Sequence, residues 1–511
     1  MSMLPLQTLS YLPWVVLLGS IGWVLYVRFL HPLAGVPGPL LPSLTRLWYV
    51  WKIREGSFDE VNRDLHRKYG RLVRIAPNEV SVSDPEAVTL IYGIKSKFTK
   101  TNFYPIWKPD AFATKHADQF TDLDEAHHSA RRRLLSNIYS MSSVLESEAH
   151  VDACTELFMA RLSEFAANGK VLDLGTWLQM YAFDIIGELF FGQAFGFLET
   201  GSDFGRWIGT LDRLMPVLIV VAMLPNAFRP FYLIFCIMFA STRASLKDFE
   251  GVATTAKNYV GRREDMMKSE DIEASASNKR RDILTKLFEL RAHRGEKEDF
   301  GIADIQQEGY VNILAGSDTT AIAMRAIIHQ LLTHPAALNK LMQELEEALH
   351  AGRISLPVKF SDALKLPYYS ACVKEAMRLH PSVGLGLQRH PLPEGCEIAG
   401  RYFSGSKSVR VAINAAVLHY DTDVFGSDAA GFSPERWLAP GAANMERYLL
   451  TFGGGSRTCI GKNISLSEIY KMLPHLLLKF KLELAYPEKP LKKSDWWFHK
   501  QEGLLVRLSV R

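Results

Sequence analysis

The chain is short of cysteine. Its 511 residues hold five, at positions 154, 236, 372, 396 and 459. Their number is odd, their spacing is wide, and no two form a CxxC pair. That spacing excludes a zinc ribbon and argues against a disulfide framework. Most of the five stand in apolar, helix-like context, so the bulk of the chain reads as facing the cytosol. Basic residues are not gathered into a stripe. The net charge is only +4 and the pI 8.6, so nucleic acid is not expected as a partner. There is no repeat, no low-complexity tract and no evident linker. The soft prior of about 150 residues per domain therefore finds no boundaries to use. No convincing GxGxxG follows a strand, so neither a flavin nor a nicotinamide domain is expected. The charged segment from Lys268 to Arg281 reads as a solvated loop.

What is present is a globular composition, 48% hydrophobic and 22% charged, on a chain long enough for a large core. Tyr11 to Leu30, "YLPWVVLLGSIGWVLYVRFL", has one charge, Arg28, at its far end. As a helix rising about 1.5 Å per residue it spans a bilayer. Trp14, Trp23 and Tyr26 suit an interfacial belt, and Arg28 and His31 put the rest of the chain in the cytosol. A cleaved signal peptide is the alternative. It is disfavoured by the length of the apolar run and by the lack of a small-residue cleavage site. The expected division is a membrane anchor over 1–31, a proline-rich, stiff, extended strap over 32–42, and one large unit over 43–511.

Beyond the strap, "FDEVNRDLHRKYG" reads as an amphipathic helix closed by Gly70. "RLVRIAPNEVSVSD" reads as a strand pair turning at Pro77-Asn78. Helical periodicity then dominates from about Ala126 to His380, and short strands return after Pro381. The fold class expected is mostly α with small β-sheets, preceded by a single transmembrane helix. Met215 to Ala240 is apolar enough for a second span, but it contains Pro216, Pro225, Arg229 and Pro230. It reads as two shorter helices joined by a loop at the membrane face.

The chemistry concentrates in "FGGGSRTCIG", Phe452 to Gly461. A lone cysteine is most often a packed core thiol. Here Gly453, Gly454 and Gly455 can take backbone angles closed to other residues, and Gly461 leaves room for something flat to approach. A helical pattern begins directly afterwards. A thiol at a helix N-terminus is expected to have its pKa lowered and to accept backbone N–H bonds. Only one protein ligand is offered, so a metal held there would take its others from a cofactor. Haem supplies four nitrogens, and a single axial thiolate on its iron favours O–O cleavage.

Phe452, Gly455, Arg457, Cys459 and Gly461 match F-x-x-G-x-R-x-C-x-G, and on these residues the chain resembles the cytochrome P-450 haem-thiolate monooxygenases. The resemblance implies that fold, haem b as cofactor and Cys459 as axial iron ligand. "AGSDTT", Ala315 to Thr320, resembles the oxygen-activation motif. Ala315 and Thr319 share a helix face, Ala315 and Gly316 would open a hollow beside iron, Thr319 would bond dioxygen, and Asp318 would relay protons. An ordinary N-cap is the rival reading. In "EAMR", Glu375 and Arg378 share a helix face, and alone they could be a surface pair. The resemblance adds Arg436 of "FSPERW" as the third member of a buried structural triad.

In "HHSARRRLL", His128 and Arg132 take the places of the family's aromatic residue and arginine, which would hold the haem propionates. A solvated face of Arg131, Arg132 and Arg133 that docks a redox partner is the alternative. Arg389 and Arg457 fit the remaining propionate contacts, since a guanidinium binds carboxylates bidentately. "YGRLVRIAPNEVSVSDPEAV", "KFTKTNFY" and "ISLSEIYKMLPHLLLKF" look like the fungal pisatin demethylase-like secondary-metabolite oxygenases. The implied partners are an NADPH-dependent flavoprotein reductase, a small apolar substrate and membrane lipid. The implied location is the endoplasmic reticulum membrane, crossed once. A haem-thiolate rearranging enzyme and a non-catalytic haem sensor are the rival functions.

Overall fold

The computed structural model describes residues 6–109, 111–268 and 281–511, with backbone alone for 6–10. The loop expected between Lys268 and Arg281 lies outside the described residues. Ten helices position the site. They are α1 Leu6–Leu25, α2 Phe58–Tyr69, α3 Glu125–Leu135, α4 Leu174–Ile186, α5 Trp207–Met223, α6 Arg229–Ile237, α7 Ala240–Lys268, α8 Ile302–Thr333, α9 Pro367–Leu379 and α10 Lys462–Lys479.

Local chemistry sets their ends. Gly70, at φ 87°, closes α2 by donating to the His66 carbonyl. The Asp124 carboxylate accepts from the N–H groups of Ala126 and His127 at 2.8 and 3.0 Å and starts α3. Asp304 reaches back to the Gly301 N–H at 2.7 Å and starts α8.

Among the described residues, twelve short strands complete the fold. They are β1 Leu72–Ala76, β2 Glu79–Val82, β3 Thr99–Lys100, β4 Leu172–Asp173, β5 Arg389–His390, β6 Cys396–Ile398, β7 Arg401–Phe403, β8 Arg410–Ile413, β9 Phe480–Leu484, β10 Lys492–Trp496, β11 Phe498–Glu502 and β12 Leu505–Val510. The largest sheet runs β1-β2-β8-β5-β3, with β1 and β2 turning at Pro77-Asn78 as expected. A three-stranded sheet runs β4-β12-β9, and β10-β11 and β6-β7 are hairpins. The architecture is mostly helical with small sheets. Its main core is built from α4, α8, α9 and α10, and α8 runs through it.

The apolar run Tyr11–Leu30 is the one described helix long and apolar enough to cross a membrane, with mean hydropathy 1.6 and 6% of it buried. Its last residues, Tyr26–Leu30, form a π-helical turn. Buried Arg74 ties that end to the body, donating to the carbonyls of Val27 at 3.1 Å and Leu33 at 3.2 Å. The strap is not continuously extended. Turns close from Ala34 to His31 and from Val36 to Leu33, and a short helix begins at Leu40. Proline blocks helix interiors, but it is tolerated in turns and at a helix's first residues.

Met215 to Ala240 divides as expected. α5 ends at Met223, the chain breaks at Leu224-Pro225, and α6 follows. Arg229 fastens the break through the carbonyls of Ala222, Leu224 and Asn102 at 2.9, 3.0 and 3.0 Å. The end of α5 is core, whereas Phe228, Phe231, Ile234, Phe235, Met238 and Phe239 are exposed.

Candidate functional site

The cysteine loop is closed by the Cys459 N–H donating to the Phe452 carbonyl at 2.8 Å. Gly453 and Gly455 sit at φ 70° and 58°, which only glycine adopts readily. A Cβ on Gly455 would also stand 1.9 Å from the Tyr92 carbonyl oxygen. Gly454 differs from expectation. At φ −148° it is ordinary extended backbone. Gly461 precedes α10, and a Cβ built there would meet only the Cys459 sulfur, at 3.9 Å. Among the described residues, nothing else crowds that face.

The Cys459 thiol lies deep in the protein yet has open surface. The N–H groups of Gly461 and Lys462 and the charge of Arg132 pull its pKa down, as anticipated. Burial outweighs them, and the net shift is upward, opposite to the sequence expectation. The helix-terminus donors are in place, but in the protein alone they do not make a thiolate.

α10 packs against α8. "AGSDTT" falls in the middle of α8, so the N-cap reading is excluded. Ala315 keeps open surface, and the Thr319 hydroxyl donates to its carbonyl at 2.8 Å. Gly316 does not open a hollow. A Cβ there would stand 2.5 Å from Ile186 Cδ1, so its smallness lets α8 approach α4. Asp318 is buried, with Gln179 of α4 donating to it. Gln179 in turn accepts from Arg325 at 2.8 Å. Burial raises the Asp318 pKa and favours its protonated form. The same carboxyl borders a cavity of about 100 Å³ shared with Asp212, Ser494, Lys500 and Glu502. Sequence reasoning named none of Gln179, Arg325 or Lys500. They come from distant segments and carry no local signal.

The basic residues separate by role. Arg131 is buried and pairs with Asp304 at 2.7 Å, whereas Arg133 is exposed. The Arg132 guanidinium, half-buried beside Cys459, has no hydrogen bond or ion pair among the described residues, and burial lowers its pKa. His128 is buried, with its Nδ1 unpartnered. Burial, then Arg457 and Lys100, push its pKa down to about 3, so the imidazole is neutral. Arg457 donates from Nε to Glu125 at 2.9 Å. Its Nη2 lies 2.8 Å from the other Glu125 oxygen but is too poorly aligned to hydrogen-bond. Arg389 donates to the Tyr104 hydroxyl at 2.6 Å. Lys100 and Tyr104, which the sequence reading passed over, lie in this same group of charges.

Glu375 and Arg378 form no surface pair. Both are fully buried and joined by two hydrogen bonds at 2.8 Å. Arg436, Trp437 and the Ser433 N–H also donate to Glu375, each at 2.9 Å. Arg378 continues to the carbonyls of Ala429 and Gly431 at 2.7 and 3.1 Å. One carboxylate thereby fixes α9 to the segment leading into the cysteine loop.

This donor set fits a flat group bearing two carboxylates and able to take one sulfur ligand. The thiol is open, Gly461 and Ala315 leave room, and His128 Nδ1, Arg457 Nη2 and Arg132 hold unspent capacity.

Residues 37–507 match the family model described as Cytochrome P450. The chain is 40% identical to "Cytochrome P450 monooxygenase gsfF" of Penicillium aethiopicum, over 96% of each chain. It is 35% identical to "Cytochrome P450 monooxygenase cicH" of Emericella nidulans, again over 96% of each. Against "Pisatin demethylase" of Fusarium vanettenii the identity is 32%, over 97% of this chain and 92% of the other.

Proposed function

The chain belongs to the cytochrome P450 family, and we propose that it is a membrane-anchored monooxygenase that holds haem b and oxidises a small apolar molecule, typically at a C–H bond. The observation that carries this reading is the open Cys459 thiol, held by backbone donors in a glycine-shaped loop before α10. Haem bound there would supply iron that activates dioxygen.

The chain's own groups would do the rest. Cys459 would hold the haem iron through its sulfur, which the Gly461 and Lys462 N–H groups would steady. Arg132, Arg389 and Arg457 would hold the two carboxylates, with neutral His128 as a further donor. Phe452, Gly461 and Ala315 would line the cofactor. Gly316 would set the spacing of α8 on α4.

Thr319 spends its proton on the Ala315 carbonyl, so its oxygen is free to accept a hydrogen bond and order proton delivery. Asp318, whose pKa burial raises, would hold and pass on a proton more readily than an exposed aspartate. The small cavity beside it, which Met215, Trp496 and Phe498 also line, is shared with the Asp212 and Lys500 side chains. Glu375, Arg378 and Arg436 would act structurally, by holding the loop's approach.

Electrons would come from NADPH through a separate flavoprotein reductase. The 1–31 segment would anchor the protein in the endoplasmic reticulum membrane with 43–511 in the cytosol. The similarity to "Pisatin demethylase" and other fungal monooxygenases supports a role in secondary-metabolite biosynthesis. Two measurements test the reading. The reduced protein with carbon monoxide should show the long-wavelength Soret band of thiolate ligation, and oxygen uptake should require NADPH and reductase. The band without reductase-dependent uptake would favour a rearranging enzyme or a sensor.

A further inference from the structure

Lys100 of β3 is the direct antiparallel partner of Arg389 in β5. Opposed residues in such a pair present their side chains to the same face, and like charges there repel. The position is no surface where water could screen the repulsion, because Lys100 is 6% exposed. Its ammonium donates to the Phe120 carbonyl at 2.5 Å. It also lies over the rings of Tyr104 and Phe120, at 4.5 and 4.9 Å from their centroids. Burial, then the charges of Arg389 and Arg457, outweigh the support of Asp118 and Glu125, so in the protein alone the Lys100 pKa lies well below the ordinary lysine value.

Those two carboxylates are already committed. Glu125 is engaged by Arg457. Asp118 accepts from the Phe120 N–H and from the N–H and hydroxyl of Thr121. Glu125 thereby offsets Arg457, but neither Lys100 nor Arg389 has a carboxylate at ion-pair distance among the described residues, so an ammonium beside Arg389 needs an added anion. Buried charge is retained only where something pairs with it.

Resting on the haem reading above, we propose that Lys100 is a cofactor-binding residue that pairs with a haem carboxylate alongside Arg389 and Arg457. The competing account makes Lys100 a tether that fastens the loop before α3 through the Phe120 carbonyl.

The test uses full-length, haem-loaded protein as wild type, Lys100→Gln and Lys100→Arg. Glutamine keeps a donor for the Phe120 carbonyl without the charge, and arginine keeps the charge. Haem transfer to apomyoglobin and the midpoint potential of the iron are measured. Lys100→Gln should lose haem about tenfold faster or more, as expected when a charge-assisted bond is removed. Its potential should fall, because an unneutralised carboxylate favours the ferric state. Lys100→Arg should restore both. Wild-type transfer rate and potential in Lys100→Gln would overturn the proposal. So would faster haem loss with an unchanged potential and no rescue by arginine, the pattern of a tether. Absence of the thiolate Soret band in the wild type would instead overturn the haem-thiolate reading.

Discussion

Arg436 donates from Nε to Glu375 at 2.9 Å, joining two buried side chains 61 residues apart in sequence. Glu375 takes two bonds from Arg378 and one each from Trp437 and the Ser433 N–H, so its carboxylate is the single hub of five donors. Glu375→Ala would leave the Arg378 guanidinium buried without a carboxylate, at a cost of about 3–5 kcal/mol, whereas Arg436 would keep Asp428 at 2.9 Å. The expected result is loss of haem-loaded, folded protein, checked by haem content per polypeptide after purification. A stable, normally loaded variant would show that the hub is dispensable.

Cys459→His should abolish the long-wavelength Soret band of the reduced carbon monoxide complex. Cys154, Cys236 and Cys372 are buried and cannot substitute, and Cys396 lies in the β6-β7 hairpin. Survival of the band would place the sulfur ligand elsewhere.

Thr319→Ala should uncouple turnover. NADPH consumption with reductase would continue, with a larger share of the electrons recovered as peroxide. The hydroxyl bonded to the Ala315 carbonyl is the group removed. An unchanged ratio of peroxide to NADPH would refute this role.

Gly316→Ala should destabilise the fold by about 1–3 kcal/mol, because its new methyl group meets Ile186 Cδ1 at 2.5 Å. Ile186→Ala removes the obstructing atoms. The double variant should lose less stability than the sum of the singles, by at least about 0.5 kcal/mol. Simple additivity in thermal or denaturant unfolding would show that the two positions are not in contact.

Stability should fall as pH drops below the ordinary histidine range. His419 donates from Nδ1 to the Arg378 carbonyl at 2.9 Å and accepts from the Leu450 N–H at 2.8 Å, so it is held neutral. Burial puts its pKa at about 3, and the pKa values of His66 and His499 at about 4 and 3. In the unfolded chain each protonates near 6.5. The unfolded state therefore gains protons first, and stability present above that pH is lost as pH falls toward 4. Each group contributes up to about 1.4 kcal/mol per pH unit in that window. Denaturant midpoints at about pH 7.5, 6 and 5 read the slope, and a flat profile would refute it.

The sequence by itself determined the features that depend on neighbours along the chain. Gly453 and Gly455 had to bend, the periodic run after Gly461 had to start a helix, and Gly70 had to end one. The Pro225-Arg229-Pro230 group had to break the apolar segment. These are local backbone preferences, legible wherever the residues stand. Tertiary structure decided whatever depends on what covers a side chain. It set Gly316 against Ile186 instead of beside the site, and it gave Asp318 to Gln179. It made Glu375 a buried hub rather than half of a surface pair, and it brought Lys100 in among the arginines. At Cys459 the two levels oppose each other. The local helix start lowers the thiol pKa, but desolvation by distant segments raises it further. Desolvation depends on packing from every direction, and a linear sequence does not display that.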